Sequence, residues 1–218
     1  MNVRVLDDPA AVAAAAADLV AGAVEDGIRT LVLAGGSTPR LAYRLLAERT
    51  LQWGRVTMLF GDERCVSPWD PESNYRMARE ELLDRAHPGG VLRMAGELGA
   101  EAAAEQYDAV VAPFSPLDLV LLGMGPDGHT ASLFPGHPEL RATGRAVAVH
   151  HAPKPPPDRV SLTLGALRAA RRVVFLVTGA DKADALAQAS RGEVPAGMVP
   201  DAEYLADRAA AARLDRAD

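Results

Sequence analysis

Apolar positions fall in short, dense runs separated by longer alanine-rich stretches. "NVRVL", "RTLVLAGG", "VTMLFGDE", "LDLVLLGMG", "RAVAVH", "DRVSLTL" and "RRVVFLVTGA" are β-branched or leucine-rich and read as strands. Helical segments stand between them. Asp8 caps the first, with Pro9 at the position where a missing N–H costs nothing. "TPRLAYRLLAER" follows a glycine turn, and Ser73 caps "SNYRMAREELLDRA". A helix is expected around Ala100 to Val111, a short one after "DRVSLTL", and another over "KADALAQAS". The strands do not alternate polar with apolar residues, so both of their faces are buried, as in a parallel sheet covered by helices. This predicts an α/β fold with functional loops at the strand C-termini. No internal repeat is evident, and the only stiff linker, "HHAPKPPPDR", is short. One domain over residues 1–218 is expected.

Composition narrows the function classes. The chain has 23 basic and 29 acidic residues, a net charge of -6 that argues against a general nucleic-acid surface. An anion can still bind where a few basic groups are concentrated. Cys65 is the sole cysteine, so no internal disulfide forms, and an intracellular compartment is expected. No nucleophile motif surrounds it, and a small buried residue is the expected role. The N-terminal alanine run is interrupted by Asp18, preceded by Asp7 and Asp8, and lacks the basic start of a signal peptide. No apolar run approaches the ~20 residues of a membrane span. A soluble, cytoplasmic protein is expected, a monomer or small homo-oligomer without membrane or nucleic-acid partners.

Four stretches carry candidate chemistry. In "LVLAGGSTPRLAYRLL", Gly35 and Gly36 turn the chain sharply, Ser37 or Thr38 is placed to cap the helix, and Pro39 fits its first turn. Such a terminus either binds an anion or is simply a well-capped helix. It lacks the G-K-[ST] ending of a nucleotide-hydrolysing loop and the second glycine of a nucleophile elbow. In "VTGADKADAL", Lys182 stands in a first helical turn, where the macrodipole disfavours a cation. Either Asp181 offsets it as the cap, or an anion is held there. "FGDERCV" sets Asp62, Glu63 and Arg64 at a strand end, as site residues or as a surface ion-pair group. Arg159, after the prolines, is a further anion contact on the same argument. In "DLVLLGMGPDGHTASLFPGHP", Asp127 and His129 flank Gly128; an oriented base and a hydrogen-bonded loop histidine both fit. His87, His137, His150 and His151 lack that setting, and the spacing supports no metal site.

Gly123, Gly125 and Gly128 also spell the dinucleotide fingerprint. That fingerprint opens a first βαβ unit and has an acidic residue ~20 positions on. Here it lies past mid-chain, "FPGHP" breaks any following helix, and "RAVAVH" ends in histidine. No nicotinamide cofactor is expected.

"LVLAGGSTP", "FGDERCVSPWDPESNYRMA", "DLVLLGMGPDGHTASLFPGHP" and "APKPPPDRVSLTLGALRAARRVVFLVTGADKADAL" resemble, in this order, the 6-phosphogluconolactonases, within the glucosamine-6-phosphate isomerase superfamily. The resemblance runs from about Val3 to Ser190, while "GMVPDAEYLADRAAAARL" matches less closely. It implies a modified Rossmann-like, mostly parallel sheet, and hydrolysis of 6-phospho-D-glucono-1,5-lactone without metal or organic cofactor. It also implies His129 as general base, Asp127 as its orienter and Arg64 as a group that either stabilises developing negative charge or helps hold the substrate. Gly36, Ser37, Thr38 and Lys182 would hold the phosphate, with Arg159 beside them; Gly35, Asp62 and Gly125 complete the expected site. A glucosamine-6-phosphate deaminase or sugar-phosphate isomerase with Asp62 as base is the alternative on this fold. A non-catalytic sugar-phosphate sensor is another.

Overall fold

The computed structural model describes residues 1–214. In chain order the elements are β1 (Asn2–Leu6), α1 (Pro9–Glu25), β2 (Thr30–Leu33), α2 (Ser37–Ala47), β3 (Thr57–Phe60), β4 (Asp62–Arg64), α3 (Asn74–Ala78), α4 (Asp84–Ala86) and β5 (Gly90–Val91). They continue with α5 (Ala100–Val111), β6 (Leu119–Gly123), β7 (Ala146–Val149), β8 (Arg159–Leu162), α6 (Leu164–Ala169), β9 (Arg172–Val177), α7 (Ala183–Ser190) and β10 (Glu203–Asp207). A π turn over Arg79–Leu83 joins α3 to α4, so the segment read as one helix after Ser73 is continuous with a wider turn inside it.

Seven strands form a parallel sheet in the order β1-β10-β9-β6-β2-β3-β5. β2 is wholly buried and β6 nearly so, which is why their sequences show no alternation. α1 and α2 pack together, α1 over β9 and β10 and α2 over β6 and β9. Both predicted N-caps form: Asp8 accepts the Ala11 N–H at 2.8 Å, and the Ser73 hydroxyl accepts that of Arg76 at 3.1 Å. Among the described residues no helix is long and apolar enough to cross a membrane.

Three strands depart from the expected parallel sheet. β4, β8 and β7 form a separate antiparallel sheet, with α5 packed on β7 and β8. Asp62–Arg64 therefore do not trail off the end of β3; they are a strand in their own right. Antiparallel pairing needs no covering helix on both sides, and the half-exposed face of β7 shows this. β10 was not evident in the sequence, yet it is an interior strand between β1 and β9. The isolated short run "EYLAD" has little to distinguish it before its two neighbours are in place. Cys65 is half-buried instead of fully buried, and burial followed by the nearby Asp158, Glu101 and Glu63 carboxylates pushes its thiol pKa up to about 11.

Candidate active site

The C-termini of β2, β3, β6 and β9 open into one cleft of about 400 Å³, and the small sheet closes its side. Every residue that the resemblance assigns to the site lines it except Asp127, which reaches it through His129; Glu63, Asp181 and Gly128 stand outside the lining.

At the β2 exit, the buried Tyr43 hydroxyl accepts the Ala34 N–H at 2.8 Å and donates to the Ala34 carbonyl at 2.9 Å, fixing where the turn begins. Gly36 follows at φ 109°, a conformation that penalises any residue with a Cβ. Gly36 is itself the N-cap of α2 and no side chain bonds the helix's first N–H groups. The expectation that Ser37 or Thr38 caps the helix is thus corrected: both lie inside it. The Thr38 hydroxyl instead shares a 2.6 Å hydrogen bond with that of Thr178 at the end of β9. The uncapped terminus faces the cleft with its positive dipole end, a geometry suited to an anion.

Lys182 arrives from the other side. It ends a 3-10 turn, Ala180–Lys182, immediately before α7. Its ammonium is 2.8 Å from the Asp181 carboxylate, so Asp181 pairs with Lys182 and does not cap α7. The turn is anchored by Asp207 at the end of β10, whose carboxylate accepts the Gly179 N–H at 3.0 Å and the Ala210 N–H at 2.7 Å.

The loop after β6 presents His129. A Cβ on Gly125 would stand 2.1 Å from the His129 ring, so only glycine admits the imidazole here. Asp127 Oδ1 lies 2.5 Å from His129 Nδ1, and Phe134 packs against the ring at 4.6 Å between centroids. With the proton on Nδ1 held by Asp127, Nε2 is the free acceptor. Burial pulls the His129 pKa below its ordinary value, outweighing the Asp127 charge and hydrogen bond that raise it. Burial raises the Asp127 pKa in turn, but His129's charge and hydrogen bonds outweigh it and leave the carboxyl below the usual range. At neutral pH the pair is a neutral imidazole beside a carboxylate.

The small sheet adds the remaining charges. Arg64 and Arg159 stand opposite each other in the β4–β8 register. Arg159 is buried; its Nε and Nη2 donate to the Pro156 and Lys154 carbonyls at 3.0 and 2.8 Å, and its guanidinium lies 5.7 Å from the Phe134 ring centre. Arg64 Nη1 donates to the Glu72 carbonyl, and its buried Nε has no hydrogen-bond partner. Asp62 is buried too: its Oδ2 accepts the Ser132 hydroxyl at 2.6 Å and its Oδ1 the Asn74 amide at 3.1 Å. Among the described residues no cluster of three or more His, Cys, Asp or Glu is arranged for a metal ion.

Several lining residues were not singled out from the sequence. Thr178 stands in "VTG" and Lys154 in "PKPPP", both beside residues that were noted; Asn74 is an ordinary polar letter in a helix start.

The fold and cleft define an α/β protein in which an uncapped helix terminus and an aspartate-oriented histidine line the same cleft. The family described as glucosamine-6-phosphate isomerases/6-phosphogluconolactonase matches residues 7–207, and the chain belongs to it. It is 40% identical to the 6-phosphogluconolactonase of Streptomyces coelicolor, with 93% of this chain and 90% of that protein covered. Among solved structures, the 6-phosphogluconolactonase of Trypanosoma brucei superposes with a TM-score of 0.89 at 27% identity, covering 98% of each chain. A monomeric glucosamine-6-phosphate deaminase superposes with a TM-score of 0.87 at 22% identity, covering 98% of this chain and all of that one, which shows the shared fold alone.

Proposed function

We propose that this protein hydrolyses 6-phospho-D-glucono-1,5-lactone to 6-phosphogluconate, the step its lactonase relatives are named for. One observation carries the reading: a neutral, Asp127-held His129 and an uncapped helix terminus with Lys182 face the same cleft. A lactone is an activated ester, so a positioned base and water suffice without a covalent nucleophile. In this mechanism Ser37 and Thr38, with Gly36 at the turn, and Lys182 hold the 6-phosphate. His129 Nε2 takes a proton from water as the water oxygen bonds to C1. The carbonyl oxygen gains negative charge that Arg64 stabilises, with Arg159 beside it. The tetrahedral intermediate then collapses, the ring C–O bond breaks, and His129 returns its proton to the departing ring oxygen. Asp127 steadies the transient imidazolium.

The deaminase alternative requires Asp62 as a base at C2, and both Asp62 oxygens already accept hydrogen bonds from Ser132 and Asn74. The test is lactone opening above its spontaneous rate, with glucosamine 6-phosphate as the competing substrate. His129→Ala is expected to lower kcat by about 10²–10⁴ with little change in KM. Lys182→Ala is expected to raise KM with kcat nearly retained. Deaminase turnover equal to lactone opening, or the reverse split of kcat and KM, overturns the assignment.

A further inference from the structure

Asn74 begins α3 yet lines the cleft between its two halves. It is 4% exposed. Its side-chain amide donates to the Asp62 carbonyl at 2.9 Å and to Asp62 Oδ1 at 3.1 Å. The same carboxamide lies close against Gly35: a Cβ there would stand 2.1 Å from Asn74 Oδ1 and 2.7 Å from its Cγ. One side chain thus touches both the turn that opens the anion cradle and the carboxylate on β4.

The residues around it make this placement rigid. Glu63 is buried, and its two oxygens accept four donors: the N–H groups of Arg64, Asn74 and Tyr75 at 2.8, 2.7 and 2.8 Å, and the Ser73 hydroxyl at 2.9 Å. These bonds clamp the start of α3 onto β4. They engage the Asn74 backbone, so they survive any change to its side chain. On the other side, Ser132 holds Asp62 Oδ2, leaving Oδ1 to Asn74.

We infer that Asn74 is a positioning residue that holds Asp62 in register with His129 and with the Gly35–Gly36 turn. The inference deepens the lactonase reading and rests on it for its kinetic consequence. When His129 takes the proton from water it becomes an imidazolium, and a fixed carboxylate nearby stabilises that charge. Asp62 is near enough for its charge to raise the His129 pKa, and the Arg159 charge opposes it. With Asn74 removed, Oδ1 loses its donor and the carboxylate, held by Ser132 at Oδ2 alone, is less firmly fixed near the imidazole.

The test compares wild type with Asn74→Ala and Asn74→Asp, measuring lactone hydrolysis, its pH profile, melting temperature and the His129 ring titration by NMR. Asn74→Ala is expected to lower kcat by about tenfold or more, the scale on which small misplacements act, with KM within about threefold. Asn74→Asp keeps the shape but sets a second carboxyl in place of the donor to Asp62 Oδ1, and the two share a proton. Both variants therefore weaken the Asp62 charge at His129, and its titration and the acid limb of the rate profile move to lower pH. A kcat within about threefold of wild type in both variants, or a His129 titration unmoved in both, overturns the inference whatever the melting temperatures do. The NMR titration needs no turnover. A wild type without lactonase activity therefore sinks the proposed function, while a His129 titration unmoved in both variants sinks the role of Asn74.

Discussion

At the residue scale, the chemistry of the cleft turns on opposing effects at His129. Burial favours the neutral ring and Asp127 favours the charged one; burial wins, which leaves the ring in the form the proposed base needs near neutral pH. The acid limb of kcat/KM should therefore lie below the ordinary histidine value of ~6.5. Asp127→Asn removes a charge that raises this pKa, so the limb moves to still lower pH. It also removes the acceptor that holds the Nδ1 proton, so kcat falls. A pH–rate series on both proteins checks this, and a limb that moves upward in Asp127→Asn would refute the assigned pairing. Asp127 and His129 were legible in the sequence because they are two residues apart in one loop. The bond between them requires only local geometry. Asn74 was not legible, because its partners Asp62 and Gly35 meet it only through the packing of α3 on β4.

At the element scale, two buried tyrosines set where the parallel strands release the chain into the cleft. Tyr43 bonds the N–H and carbonyl of Ala34 just after β2, and Tyr107 on α5 bonds those of Phe60 at the end of β3, at 2.8 and 3.0 Å. Tyr43→Phe leaves a buried N–H and C=O without partners, a loss of about 1–3 kcal/mol. Denaturant unfolding is expected to show that loss, together with a raised KM as the Gly35–Gly36 turn loosens. Unchanged stability would mean the backbone finds other partners. Helices α2, α5 and α7 were legible within a residue or two, and the start of α1 and the place of α6 were legible too, because each carries its own cap, period or breaker. The caps were less secure. Ser37 and Thr38 have the right residue type, but Gly36 adopts the left-handed backbone first and draws both into α2.

At the scale of the whole molecule, the cleft depends on a small antiparallel sheet held against a larger parallel one. His150, on the loop between β7 and β8, ties the small sheet's loop to α5: its Nδ1 lies 2.8 Å from Asp158 and its Nε2 2.7 Å from Glu101 on α5. The hydrogen bonds to Asp158 and then Glu101 raise its pKa. The bridge's contribution is complete below the ordinary histidine value and fades as pH rises through the raised folded-state value. His150→Ala is therefore expected to lower Tm more at about pH 5.5 than at about pH 8.5, at low ionic strength because the group is exposed to solvent. Equal losses at both pH values would show that the bridge carries no charge-dependent stability.

What the chain determined by itself is local. It set the α/β class, the positions of most elements, the glycine turn after β2 and the Asp127–His129 pair, since each depends on period, breakers or backbone conformation within a few residues. Only the tertiary structure decided which strands share a sheet, because an apolar run carries no mark of its partner or direction. So β4, β7 and β8 left the parallel sheet, and the unremarked β10 entered its interior. It also brought Thr38 to Thr178 and Arg64 to Arg159, across separations that loops alone leave undefined. Residue type supplied the cleft's chemistry; the packing of two sheets put that chemistry in one place.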